Sequence, residues 1–184
     1  MNLARTLFPM LALTTGLVVG MQVMADEPAE KVEKTELRVG TFDSRAVLFA
    51  YMDTDIFRNQ LKSAEEEHKK AKDAGDNAKA KRIEAAMQAS QKRVHRQGFS
   101  TGRVDEILVH IKDKLPGIAK KAGVDVVVSK WSISYSTSGT EFVDVTSLMI
   151  EPFEPDEKKR AKILMQIRQP PIPLAKWDTD TAGK

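Results

Sequence analysis

The chain has 184 residues, with 29 Lys or Arg against 26 Asp or Glu, a formal net charge of +3, and no cysteine. Without cysteine there can be no disulfide, thiolate metal site or cysteine nucleophile, so the fold must stand on packing or on oligomerisation. Charged residues make up 30% of the chain, which points to long solvated helices, while so small a net charge says little about partners.

Residues 1–25 read as a secretory signal peptide. Arg5 supplies the positive start, residues 7–24 carry no charge, and Val23-Met24-Ala25 is a small-residue cleavage pattern. Pro9, Thr14, Thr15 and Gly16 weaken the run as a membrane span, and an acidic stretch with a proline (Asp26-Glu27-Pro28) follows. Export with cleavage leaves about 159 residues, the size of one domain. No cysteine stands at the cleavage site, so a bacterial-type lipid anchor is excluded.

Residues 26–36 are polar and read as a flexible leader. The alternation Leu37-Arg38-Val39-Gly40-Thr41-Phe42 predicts a first strand, and Asp43 or Ser44 is placed to cap a helix beginning at Ala46. From about 53 to 98 the composition is helical, with one interruption, Ala74-Gly75-Asp76-Asn77, suited to a tight reversal. Spacings of three and four pick out Phe57, Leu61, Ala64, His68 and Ala71 on the way up. They pick out Ala80, Ile83, Met87, Ser90 and Val94 on the way back. Folding about Gly75 and Asp76 pairs Phe57 with Val94, Leu61 with Ser90, Ala64 with Met87, His68 with Ile83, and Ala71 with Ala80. This is the 3.5-residue repeat of an antiparallel two-helix coiled coil. The seam is thin, so its outer end should be flexible.

Beyond the 98–102 interruption, Val104, Ile107, Leu108, Ile111, Leu115 and Ile118 form a stripe that predicts one continuing buried helix, kinked at Pro116 and ended by Gly123. Residues 124–129 predict a second strand whose consecutive valines are buried on both faces. Trp131, Ile133 and Tyr135 alternate with serines as a third strand with one wet face, and residues 142–146 follow as a further extended segment. Val39, Val126, Val127, Val128 and Ile133 are the expected core of this body. An amphipathic helix over 156–167 comes next, and Pro170, Pro171 and Pro173 predict a disordered tail. The expected organisation is a body over 37–150, its helical hairpin at about 53–98, and a C-terminal helix and proline-rich tail over 151–184. The fold class is α+β, a small β-sheet body with a long antiparallel hairpin.

No Gly-rich phosphate loop, nucleophile elbow or HExxH pattern occurs, so no catalytic residue, cofactor or metal is expected. His68, His95 and His110 fall on different helices and do not read as a metal set. Asp43 stands where many α/β enzymes keep a catalytic carboxylate, but helix capping explains it more cheaply. The charge distribution is more informative. Residues 56–98 hold eleven Lys or Arg against six Asp or Glu, a net +5. Near the reversal, Lys69, Lys70, Lys72, Lys79, Lys81 and Arg82 face only Asp73 and Asp76. The bland reading is a solvated helical face; the functional one is a basic foot for acidic client segments, anionic lipid or lipopolysaccharide. Export, and the lack of stacking aromatics near these lysines, disfavour nucleic acid.

The order of signal peptide, strand, hairpin with an Ala74-Gly75-Asp76 tip, return helix, strands and Val143-Asp144-Val145-Thr146 resembles the Skp (OmpH) family of periplasmic chaperones. The stretch 118–135 (IAKKAGVDVVVSKWSISY) carries much of the likeness, which covers residues 37–148. The resemblance implies a periplasmic homotrimer whose strands form a central barrel, with hairpins projecting around a cavity that holds unfolded outer-membrane or envelope proteins without ATP. This chain departs from the pattern in its shorter hairpin and in the segment after Ile150. A reading of a different class is a structural or adaptor protein of the envelope, whose arm engages one folded partner or the anionic envelope surface. An aromatic anchor in one patch would mark an adaptor; the hairpin has only Phe57, at its root.

Overall fold

The computed structural model describes residues 37–176; the expected signal peptide (1–25), the expected leader (26–36) and the end of the tail (177–184) lie outside the described residues. Within them the chain is mixed helix and strand around a small sheet. Strand β1 (Arg38–Phe42) is central, flanked by β2 (Val126–Ser129) and β3 (Glu141–Asp144) in the order β2-β1-β3. Both pairings are parallel, and Val39 lies beside Val126 on one side and Phe142 on the other. Side chains alternate along a strand, so Gly40, Val127 and Val143 share one face. Val127 and Val143 pack against the buried core there. A Cβ on Gly40 would stand 3.0 Å from a methyl of Val124 and 3.2 Å from one of Val145; the glycine lets these side chains close directly over the strand.

Helix α1 (Ser44–Met52) begins where β1 ends, because the Asp43 carboxylate accepts the Arg45 amide and caps the first turn. It buries Val47, Leu48 and Tyr51 against Phe42, Val104, Ile107, Ile111, Val145 and Met149. Helices α2 (Asp55–Asp73) and α3 (Asn77–Phe99) then fold back on each other about a three-residue turn. Gly75 has φ +71°, the left-handed conformation, with open space around it. Its amide donates to the Lys72 carbonyl and that of Asp76 to the Ala71 carbonyl, the paired bonds that close a helix C-terminus. Asp76 at once caps α3 by accepting the Lys79 amide. The reversal is thus complete in three residues.

The return path differs from expectation. In place of one kinked helix there are α4 (Asp105–Leu108), a 3-10 turn (Val109–Ile111) and α5 (Leu115–Ala122). Pro116 sits in the first turn of α5, where its missing amide hydrogen costs nothing, so it starts a helix rather than bending one. Gly123 ends α5 at φ +63°.

The proposed core residues also need correction. Val39, Val127, Val128 and Ile133 are only partly buried, and Val126 is 38% exposed. The valine run lies on an edge strand, and among the described residues its second face is only partly covered. The third strand expected at Trp131–Tyr135 is absent. Residues Lys130–Ser132 form a 3-10 turn and the chain stays irregular up to β3. Ser129 caps that turn, Lys130 reaches Asp43 at 2.8 Å, and the Lys130 ammonium lies 4.6 Å from the Trp131 ring centre. These contacts pull the chain off the sheet as soon as β2 ends. Of the expected extended segment 142–146, the last two residues leave the strand: Val145 donates its amide to Thr41, and Thr146 opens α6 (Thr146–Ile150).

Helix α7 (Glu157–Gln166) buries Ile163 among Ala46, Ala50 and Ile150. The proline-rich run after it is docked as far as Ile172, whose amide bonds the Phe99 carbonyl. The tail expected to be disordered is therefore anchored in its described part, because the one amide hydrogen between Pro170 and Pro173 finds a backbone partner.

Candidate functional site

Along the α2–α3 hairpin the seam positions, Leu61 apart, are buried or half-buried. Ala71 and Ala80 are buried near the tip, where alanines let the backbones approach. Phe57, Ala64, His68, Ile83, Met87, Ser90 and Val94 are half-buried. Phe57 and Val94 also pack against the body core, so the root of the hairpin is anchored there. Farther out the covering is incomplete. Leu61 is 47% exposed, and a groove of about 330 Å³ runs along the helices, lined by Phe57, Leu61, Ala64, Ile83, Ala86 and Met87. The Nε2 atom of His68 is buried without a hydrogen-bond partner among the described residues.

Lys69, Lys70, Lys72, Lys79, Lys81 and Arg82 are all exposed. They flank the buried Ala71–Ala80 contact from both helices, so the geometry concentrates them at one end. Among the described residues, the hairpin's ion pairs sit away from that end: Arg58–Asp55, Lys62–Glu66 and Arg93–Glu106. The tip thus presents positive charge to solvent, beside an apolar groove only partly closed.

A second basic surface was not anticipated. Lys92, Arg93, Arg96 and Arg103 line a cavity of about 620 Å³ between the end of α3 and the turn that follows, with Leu174 on another wall. Gln97, buried behind it, donates to the Arg103 carbonyl and to Glu106, fixing the turn. The signal in the sequence was the Lys92, Arg93, Arg96 spacing on one helical face. Arg103 joins only because the chain doubles back at Gly102, where a Cβ would stand 3.0 Å from the Arg96 backbone.

Asp43, the one carboxylate placed like a catalytic group, is fully buried and saturated. Its oxygens accept from the Arg45 amide at 3.0 Å, from Arg45 Nε at 3.0 Å and Nη2 at 2.7 Å, and from Lys130 Nζ at 2.8 Å. Burial pushes its carboxyl up, but the bonds from Arg45 and Lys130 outweigh that and hold it below the usual carboxylate range. A carboxylate so held is a poor general base, and its geometry is that of a clamp. Among the described residues no group of three or more His, Asp or Glu is arranged to hold a metal ion, and no helix is long and apolar enough to cross a membrane. His68, His95 and His110 stay on separate elements; His110 stacks on Tyr51 at 5.1 Å.

Comparison with known protein families, with curated proteins and with solved structures finds no match for this chain.

Proposed function

We propose that this protein is an ATP-independent holdase chaperone, exported by its cleavable signal peptide to the periplasm, where it holds unfolded outer-membrane or envelope proteins. It catalyses no reaction. The observation that carries this reading is the hairpin: an apolar groove left partly open along its length, with six exposed cations at its tip. An unfolded chain offers scattered apolar side chains and charges, and a surface without a single aromatic hot spot accepts many such sequences weakly. The basic tip draws in acidic segments from a distance, and the same charge suits anionic lipid or lipopolysaccharide at the envelope surface.

The working form is a homotrimer joined through the strands, as the Skp-like motif order implies. The outer face of the sheet supports assembly. Val39, Val126 and Phe142 lie side by side on it, with Val126 38% and Phe142 43% exposed, and among the described residues no strand pairs with the outer edge of β2 or β3. Uncovered apolar sheet with open edges is a surface that chains close by pairing. Dilution of a urea-unfolded outer-membrane protein into buffer, with and without this protein and with no ATP, tests the reading. Light scattering by the aggregating client should fall at a several-fold trimer excess; undiminished scattering would favour an adaptor with one folded partner.

A further inference from the structure

Residues 167–174 follow an unusual path for a proline-rich tail. At one end, the Arg45 guanidinium donates from Nη1 to the Gln169 carbonyl and from Nη2 to the Ile167 carbonyl, each at 2.7 Å. Ile167 is the C-cap of α7 and Gln169 lies in the turn just after it, where carbonyls lack partners within the helix. Arg45 is itself only 5% exposed and fixed on its other side by Asp43. At the other end, the Ile172 amide donates to the Phe99 carbonyl at 2.8 Å, and the Ile172 carbonyl accepts the Ser100 hydroxyl. Phe99 is the last residue of α3 and Ser100, fully buried, is its cap. The segment therefore bridges the start of α1 to the point where the hairpin's returning helix enters the body. Prolines at 170, 171 and 173 fix the backbone of the bridge, so ordering it costs little entropy and leaves it stiff.

We infer that residues 167–174 are a strap that clamps the root of the hairpin and sets the direction in which α2 and α3 leave the sheet. This goes beyond the holdase reading and stands without it. The angle is also held by Phe57 and Val94 against the body core, by the Tyr51 hydroxyl donating to Gln60, and by Gly98 on α1, where a Cβ would lie 3.2 Å from both Leu48 and Phe49. Glycine gives a close but small contact there, which a strap supplements. Leverage makes the angle matter: at ~1.5 Å per residue a 19-residue helix is about 28 Å long, so a root rotation of about 10° moves the tip by roughly 5 Å.

Because the chain has no cysteine, two introduced cysteines can be labelled cleanly. Spin labels on Ala78→Cys at the tip and Lys112→Cys on the body, in full-length protein diluted into unlabelled chains, report the tip-to-body distance by pulsed electron resonance. Ser100→Ala with Ile172→Pro deletes both hydrogen bonds at the hairpin end of the strap while leaving the hydrophobic core intact. The distance distribution should broaden at least twofold, and exchange of the Gly102 amide, bonded to Arg96, should speed up at least tenfold. An unchanged distribution, even with a lower melting temperature, overturns the inference: the segment would then only stabilise the body. Should the double variant not fold, the same measurement on Ile172→Pro alone decides, since that change deletes one amide hydrogen in an exposed segment.

Discussion

Asp43 is bound on every side, and each partner comes from a different part of the chain. Arg45 follows it by two residues, Lys130 arrives from the end of β2, and the Thr146 hydroxyl takes its amide at 3.0 Å. The cap was legible in the sequence from Asp43 standing between a strand and a helix. The ion cluster was not, because nothing local says that the end of β2 returns to the end of β1. Replacing Asp43 with Ala should leave Arg45 buried without its counter-charge and cost about 3–5 kcal/mol in urea denaturation. Since the folded carboxyl titrates below its unfolded value, its contribution is complete above the ordinary carboxylate range, about pH 4, and fades as pH falls through the depressed value. Acid unfolding of Asp43→Ala should accordingly show a shallower loss of stability below pH 4 than the wild type. Gly40→Ala offers a second check: its added methyl has to push back Val124 and Val145, and denaturation should report a loss of about 1–3 kcal/mol.

Among elements, the helices of the hairpin were the most legible, since their periodicity is local and the Ala74-Gly75-Asp76 turn has one cheap geometry. Strands fared worse. The alternation of Trp131, Ile133 and Tyr135 with serines is a strand pattern, but β1 already has a neighbour on each side and the Lys130–Asp43 bond draws the chain away. Propensity lost to a long-range charge. Likewise, Val126–Ser129 read as doubly buried because a run of valines does not say how many layers cover it. The hairpin beyond its root packs chiefly on itself. Deleting residues 62–88 leaves Phe57 and Val94 able to meet over the core, so the thermal transition should be retained within a few degrees; a large fall would show arm and body to be one packing unit. Changing Lys69, Lys70, Lys79 and Lys81 together to Glu reverses the sign of the tip. Capture of acidic clients, followed by stopped-flow fluorescence, should slow at low salt and become insensitive to the change near 1 M salt, where the Debye length is about 3 Å. No effect at low salt would make these lysines a solvated face.

For the whole molecule, the proposed trimer places the contact between copies on the outer sheet face. Val127 points toward the core, so the side chains that report assembly are its neighbours on the opposite face. Val126→Asp with Phe142→Asp puts charge where copies would meet and leaves the inner core intact. The double variant should keep its helical circular dichroism while its mass by light scattering falls from trimer to monomer; a wild type that is monomeric at micromolar concentration would remove the trimer from the account.

The holdase reading places client contact on the hairpin, and one comparison addresses that directly. A urea-unfolded outer-membrane protein is diluted without ATP into equal concentrations of wild type or of the variant lacking residues 62–88, first verified as folded and of unchanged oligomeric state. The wild type should suppress client light scattering at a several-fold trimer excess, and the shortened variant should lose most of that suppression. Equal suppression by the two would contradict the account, because clients would then be held by the body and not by the arms.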